Sequence, residues 1–129
     1  MTDAPLVIFV YGTLMRGFSR HHLMSGGRFE GDASADGRLI SLGEYPALLD
    51  GRGTVRGELY AFDDLPVALD VLDDVESFDP ADPENSEYVR EARRVRRDDG
   101  IEICAWLYVY NRPAGRAPVI SSGDWRRRS

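Results

Sequence analysis

The chain has 129 residues and a formal net charge of −6, with an ordinary globular share of apolar side chains. That length suits one domain with a real core, and the acidic balance argues against a nucleic-acid or anionic-membrane partner. All 16 basic residues are arginine, which excludes a lysine Schiff base and a phosphate-loop lysine. The single cysteine, Cys104, excludes an internal disulfide and a cysteine-rich zinc site.

The first expected element is a buried strand from Leu6 to Tyr11, apolar and mostly β-branched. It stops abruptly at Tyr11-Gly12-Thr13-Leu14. There Gly12 permits a sharp turn and a close approach to the backbone, while Thr13 and Leu14 offer N–H groups that can converge on an anion or oxyanion. A plain strand-to-loop turn is the competing reading. Phe18 to Ser25 suits a short helix capped by Ser19, and Gly26 to Gly37 is glycine-rich and polar. Arg38 to Leu42 reads as a strand, followed by a turn at Glu44-Tyr45-Pro46. Val55 to Phe62 reads as another, in which Gly57 marks close approach of backbone or ligand.

The clearest helix starts near Asp64, with Asp63 or Asp64 as cap and Pro66 in the first turn. Leu65, Ala68, Leu69, Leu72 and Val75 form its apolar stripe. Asp70, Asp73 and Asp74 fall mostly off that stripe, and Glu76 stands at the C-terminal end. Ser77 to Glu87, with its prolines and carboxylates, reads as an exposed loop. Two long strands follow, Glu87 to Arg97 and Ile101 to Tyr110, joined by Asp98-Asp99-Gly100, a strong hairpin corner. The second is apolar on both faces, as in a sheet centre or barrel wall, and Cys104 within it reads as buried and inert. The tail from Asn111 looks irregular. No apolar run approaches the ~20 residues of a membrane helix, and the N-terminus lacks a signal-peptide pattern, so the cytoplasm is the expected location. This order of elements points to an α+β fold with a mixed sheet, in a single domain spanning residues 1–129.

Chemically, Glu76 weighs most. A carboxylate at a helix C-terminus faces the negative end of the dipole. That field, neighbouring acids and partial burial would raise its pKa toward the range of a general base working near neutral pH. The bland alternative is one more acidic residue on an acidic helix. Glu58 and Asp73 are the next candidates for an essential carboxylate. The adjacent His21 and His22 diverge by roughly 100° on a helix and cannot share a metal. Asp79, Asp82 and Glu84 lack the spacing of a calcium loop. Arg93, Arg94, Arg96 and Arg97 read as a strand rim balanced by acids.

Three segments in order, Tyr11-Gly12-Thr13-Leu14, Leu72-Asp73-Asp74-Val75-Glu76 and Tyr88-Val89-Arg90, resemble the γ-glutamylcyclotransferase-like superfamily. Glu44 to Leu48 and Val55 to Tyr60 add to the resemblance, which runs from about Ile8 to Trp125. It implies a small, partly closed mixed-sheet β-barrel flanked by two helices. It also implies an enzyme that converts a γ-glutamyl amine or peptide to 5-oxoproline plus free amine, with Glu76 as general acid and base and no metal or organic cofactor. Tyr11, Gly12, Thr13, Leu14 and Tyr88 would bind the substrate, although Tyr11 could simply pack and Tyr88 could be a barrel-wall tyrosine. Arg90 is read as a partner of local acids. The segment Ser121 to Trp125 is similar to a tail of bacterial members and could fold over the pocket. Met15-Arg16 and Ser77-Phe78 depart from the family pattern and blur substrate identity. The expected partner is a small γ-glutamyl molecule, with no nucleic acid and no membrane, and a homodimer stays open. Alternatives in other classes are a non-catalytic metabolite-binding module and an interaction domain with a vestigial pocket.

Overall fold

Strand β1, Val7–Val10, sits between two partners and closes the sheet on itself. A computed structural model describes residues 4–128 of the chain. The other strands are β2, Gly27–Ser41, β3, Pro46–Phe62, β4, Tyr88–Arg97, and β5, Glu102–Tyr110, and their order around the barrel is β1-β3-β2-β4-β5. All pairings are antiparallel except β1 with β5, which meet in parallel at Ile8 and Trp106. That parallel seam makes the sheet mixed and closes the barrel, which the family resemblance implied would be only partly closed.

Both faces of β3 are covered. Val55 and Leu59 on one face, and Glu58 and Tyr60 on the other, lose nearly all their solvent surface. Gly57 answers to its expected role, because a β-carbon there would collide with the carbonyl oxygen of Val10 and the ring of Phe9. The glycine therefore lets β3 run close against β1. β5 is covered on both faces toward its C-terminal half, at Ala105, Leu107, Tyr108 and Val109, but Cys104 nearer the hairpin is exposed. Its side chain lies beyond the reach of the core, which corrects the buried reading.

Two segments take forms that the sequence does not announce. Gly26 to Gly37, glycine-rich and polar and without an assigned element, is mostly the first part of β2, paired with β3 from Gly27 opposite Phe62 to Asp36 opposite Thr54. Register shifts near Gly31 and Gly37, both in the left-handed region, let the ribbon bend, which explains the glycines without breaking the strand. The helix expected from Phe18 to Ser25 is a single 3₁₀ turn, His21–Met24, with no side-chain cap at all; Ser19 does not serve. Among the described residues one α-helix, α1, Leu65–Val75, therefore flanks the barrel, where the resemblance implies two. Asp64 caps it as expected, accepting from the N–H of Val67 at 3.4 Å. Among the described residues no helix is long and apolar enough to cross a membrane.

The C-terminal segment is irregular but tightly packed. Gly123 lies so close to Thr54 that no side chain fits between them. Its carbonyl accepts from the N–H of Arg56 at 2.8 Å, and Trp125 is 1% exposed.

Candidate active site

Glu76 is set by the way α1 ends. The N–H of Ser77 returns to the carbonyl of Asp74 at 3.2 Å, and the N–H of Phe78 to that of Asp73 at 2.8 Å. This pair of bonds is the Schellman closure, in which the residue after the cap takes a left-handed conformation. Ser77 does so with φ of 53°, in a place where glycine is usual. Glu76 is the cap itself, its own N–H bonded to Leu72 at 2.9 Å. One turn earlier, Asp73 is buried and does not face solvent as the stripe suggested. Its carboxylate accepts from Arg90 Nε at 2.8 Å, Arg90 Nη2 at 3.1 Å and the Tyr108 hydroxyl at 2.6 Å. A charged pair with every oxygen occupied tolerates burial, and here it pins the end of α1 to β4 and β5. Arg90 is thus bound to an acid, with its guanidinium 4.5 Å from the Trp106 ring centre.

Opposite Glu76 runs the loop Tyr11 to Leu14. Its carbonyls are engaged by protein: Gly12 by the N–H of Met15 at 3.0 Å, Thr13 by the N–H of Arg20 at 3.0 Å, and Leu14 by His21 Nδ1 at 2.9 Å. A carbonyl can only accept, so His21 carries its proton on Nδ1. In a trans peptide the N–H points opposite to the carbonyl, so anchoring the oxygens turns the amide hydrogens away from those partners. Among the described residues, no protein acceptor meets the N–H of Thr13 or of Leu14. Gly12 is pressed against Pro46: a β-carbon there would sit 2.8 Å from Pro46 Cγ. The loop continues to Arg16, whose N–H and Nε donate to the buried carboxylate of Glu58 at 3.0 and 3.2 Å.

Between loop and helix end lies a cavity of about 230 Å³. All six residues singled out in the sequence line it: Tyr11, Gly12, Thr13, Leu14, Glu76 and Tyr88. The two tyrosines serve the wall. Tyr11 donates its hydroxyl proton to the Tyr108 carbonyl at 2.6 Å, and Tyr88 gives its own to the Pro46 carbonyl at 2.9 Å. Burial raises the pKa of both phenols, so they stay protonated. Glu58 and Asp73 do not line the cavity; each is spent on the arginine and tyrosine partners already named or, for Glu58, on the Tyr60 hydroxyl at 2.9 Å. Nor does the segment Ser121 to Trp125 cover it. That segment packs on β3 through Gly123 and Thr54.

Sequence reasoning missed Arg20, Tyr45 and Glu87, which also line the cavity. Arg20 and Glu87 carry no local signal, and Tyr45 stands only in the turn and segment noted at Glu44 to Leu48. Arg20 arrives there because its N–H closes a turn onto Thr13, and Glu87 because its N–H binds the Ser77 carbonyl at 3.1 Å. They matter electrostatically. Burial pushes the Glu76 carboxyl up to about 7, Glu87 adds to the rise and Arg20 opposes it. The acids of α1 itself are not among these causes, so the environment differs from the one anticipated although the direction agrees.

A closed five-stranded mixed barrel, with a helix-end carboxyl facing the strand-to-loop turn after β1, is the architecture of a γ-glutamylcyclotransferase-like fold. The chain belongs to the family described as Gamma-glutamyl cyclotransferase, AIG2-like, whose model matches residues 8–127. It is 36% identical over 119 residues to the Gamma-glutamylcyclotransferase family protein YtfP of Escherichia coli K12, covering 92% of this chain and 94% of that protein. It is 35% identical over 123 residues to the Gamma-L-glutamyl-butirosin B gamma-glutamyl cyclotransferase of Niallia circulans, covering 93% of this chain and 75% of the other. The solution NMR structure of E. coli ytfP, at 38% identity, matches the fold with a TM-score of 0.64 over 95% of this chain and 97% of that one.

Proposed function

We propose that the protein is a γ-glutamylcyclotransferase that releases 5-oxoproline and a free amine from a γ-glutamyl amine or peptide, with Glu76 carrying the proton. The observation behind this is the pairing of a near-neutral carboxyl, Glu76, with unpartnered N–H groups of Thr13 and Leu14 around one small cavity. The substrate's α-ammonium cannot attack until it loses a proton, and Glu76 accepts it. The α-nitrogen then bonds to the γ-carbonyl carbon, and the carbonyl oxygen becomes an oxyanion. The two N–H groups stabilise that oxyanion better than they do the neutral carbonyl. Collapse breaks the amide C–N bond while the proton held by Glu76 passes to the leaving nitrogen. The ring nitrogen sheds its second proton to Glu76 as it becomes the lactam N–H, and the free amine carries that proton away as an ammonium. The ring product and the amine account for every atom of the substrate, so no water is consumed. The wall of Tyr11, Tyr88 and Pro46 favours a folded conformer in which the two ends of the glutamyl chain meet.

The test is incubation of the folded protein with a panel of γ-glutamyl amines and γ-glutamyl dipeptides, followed by mass spectrometry for 5-oxoproline. Turnover of at least one member supports the reading. Binding without conversion would favour a metabolite-binding module.

A further inference from the structure

Arg20 is the one cation among the described residues that line the cavity, which it shares with the carboxyls of Glu76 and Glu87. Its backbone is fastened to the loop through Thr13, so its side chain starts from the same turn that presents the free N–H groups. The acid-rich chain pairs its other half-buried arginines closely: Arg56 with Asp98 at 2.7 Å, Arg90 with Asp73 at 2.8 Å, Arg126 with Asp124 at 2.9 Å. The guanidinium of Arg20 has no such ion pair among the described residues and lies 5.9 Å over the ring of Tyr45. A partly desolvated guanidinium offers a fork of donors shaped for a carboxylate. A γ-glutamyl head group carries one ammonium and one carboxylate, and the cavity offers carboxyls for the first and this single guanidinium for the second.

We propose that Arg20 binds the α-carboxylate of the substrate's glutamyl group, and so restricts the site to γ-glutamyl compounds in which that carboxylate is free. The inference rests on the reaction proposed above and sharpens it. It leaves the N–H groups of Thr13 and Leu14 to the γ-carbonyl oxygen, because the carboxylate is held elsewhere. Arg20 acts in recognition, not in proton transfer.

The experiment compares two amides that differ only in this group: γ-glutamyl methylamide, which cyclises to 5-oxoproline, and 4-aminobutanoyl methylamide, which lacks the carboxylate and cyclises to pyrrolidin-2-one. The ratio of their kcat/KM values is measured for the wild type, Arg20→Lys and Arg20→Met. Comparing ratios between enzymes cancels the intrinsic difference in reactivity of the two amides. Loss of a charged hydrogen-bonded contact predicts that Arg20→Met lowers the preference for the glutamyl amide by about 10- to 100-fold, with Arg20→Lys between. An unchanged ratio in Arg20→Met, with the glutamyl amide still turned over, overturns this inference and leaves the reaction standing. If the wild type turns over neither amide, the proposed reaction is what fails. Calorimetric titration with 5-oxoproline then decides on Arg20: binding weakened by the same factor in Arg20→Met upholds the carboxylate site, and equal or absent binding overturns it.

Discussion

Replacing Gly12 by alanine tests the loop through one atom. The backbone of Gly12 is not in the left-handed region, so its missing side chain, and not its conformational freedom, is what the fold uses. A β-carbon would lie 2.8 Å from Pro46 Cγ and 2.9 Å from Cδ, about 0.7–1 Å inside the favourable carbon–carbon separation. The neighbour cannot swing aside. The proline ring is rigid, Pro46 opens β3, and its carbonyl holds the Tyr88 hydroxyl. Overpacking of this kind costs about 1–3 kcal/mol. At about 3–5 °C per kcal/mol for a chain of this size, Tm falls by roughly 3–15 °C. The strain falls on two walls of the cavity, and misplacement of reacting groups by about 1 Å costs up to ~10² in rate. Thermal denaturation and kcat/KM on a turned-over γ-glutamyl substrate are measured together. Gly12→Val should be worse on both counts. An alanine variant with the wild-type Tm and rate would refute the close packing and, with it, the account of how the loop is held.

Ser77→Gly should raise stability by about 0.5–1 kcal/mol, because φ of 53° strains serine and suits glycine; an unchanged or lower Tm would contradict this. Asp73→Ala leaves Arg90 and the Tyr108 hydroxyl without their shared acceptor, and loss of one member of a buried pair costs about 3–5 kcal/mol. Urea unfolding should show it, and a loss under 1 kcal/mol would mean the cluster is solvated. Glu76→Gln should stabilise the protein at alkaline pH. A carboxyl raised from its usual 4.5 to about 7 favours the fold fully below the lower value and loses that contribution as pH rises through the upper one. Ionised Glu76 then costs at most about 3 kcal/mol that glutamine avoids. The Tm difference between variant and wild type should therefore grow from pH 4 to pH 8, and a flat difference would argue against the buried, raised carboxyl.

How far the sequence could be read depended on whether the cause was local. The apolar stripe of α1, its Asp64 cap and the Asp98-Asp99-Gly100 corner act within a few residues, and each stands where periodicity and turn chemistry put it. Gly26 to Gly37 shows no strand pattern because its glycines and polar residues mask a strand whose pairing is supplied by β3, a partner defined only in three dimensions. The same applies to Asp73: its position on the helix looks solvent-facing until Arg90 and Tyr108 arrive from other strands. Of the cavity, the strand-to-loop turn and the helix-end glutamate were visible as motifs. Arg20 and Glu87 were not, since only the backbone bonds to Thr13 and Ser77 bring them in.

The proposed transfer of the proton through Glu76 is tested most directly by the pH profile of kcat/KM for wild type and Glu76→Gln, on a substrate the wild type turns over. A base must be ionised to act, so wild-type activity should rise with pH along an acid limb whose midpoint lies near the carboxyl's value of about 7. Glutamine keeps the shape and the hydrogen bonds but cannot take the proton. The variant should lose about 10²–10⁴ in rate, and the limb should vanish with it. A variant that keeps the wild-type rate, or keeps the acid limb at reduced rate, would contradict the assignment of the proton to Glu76.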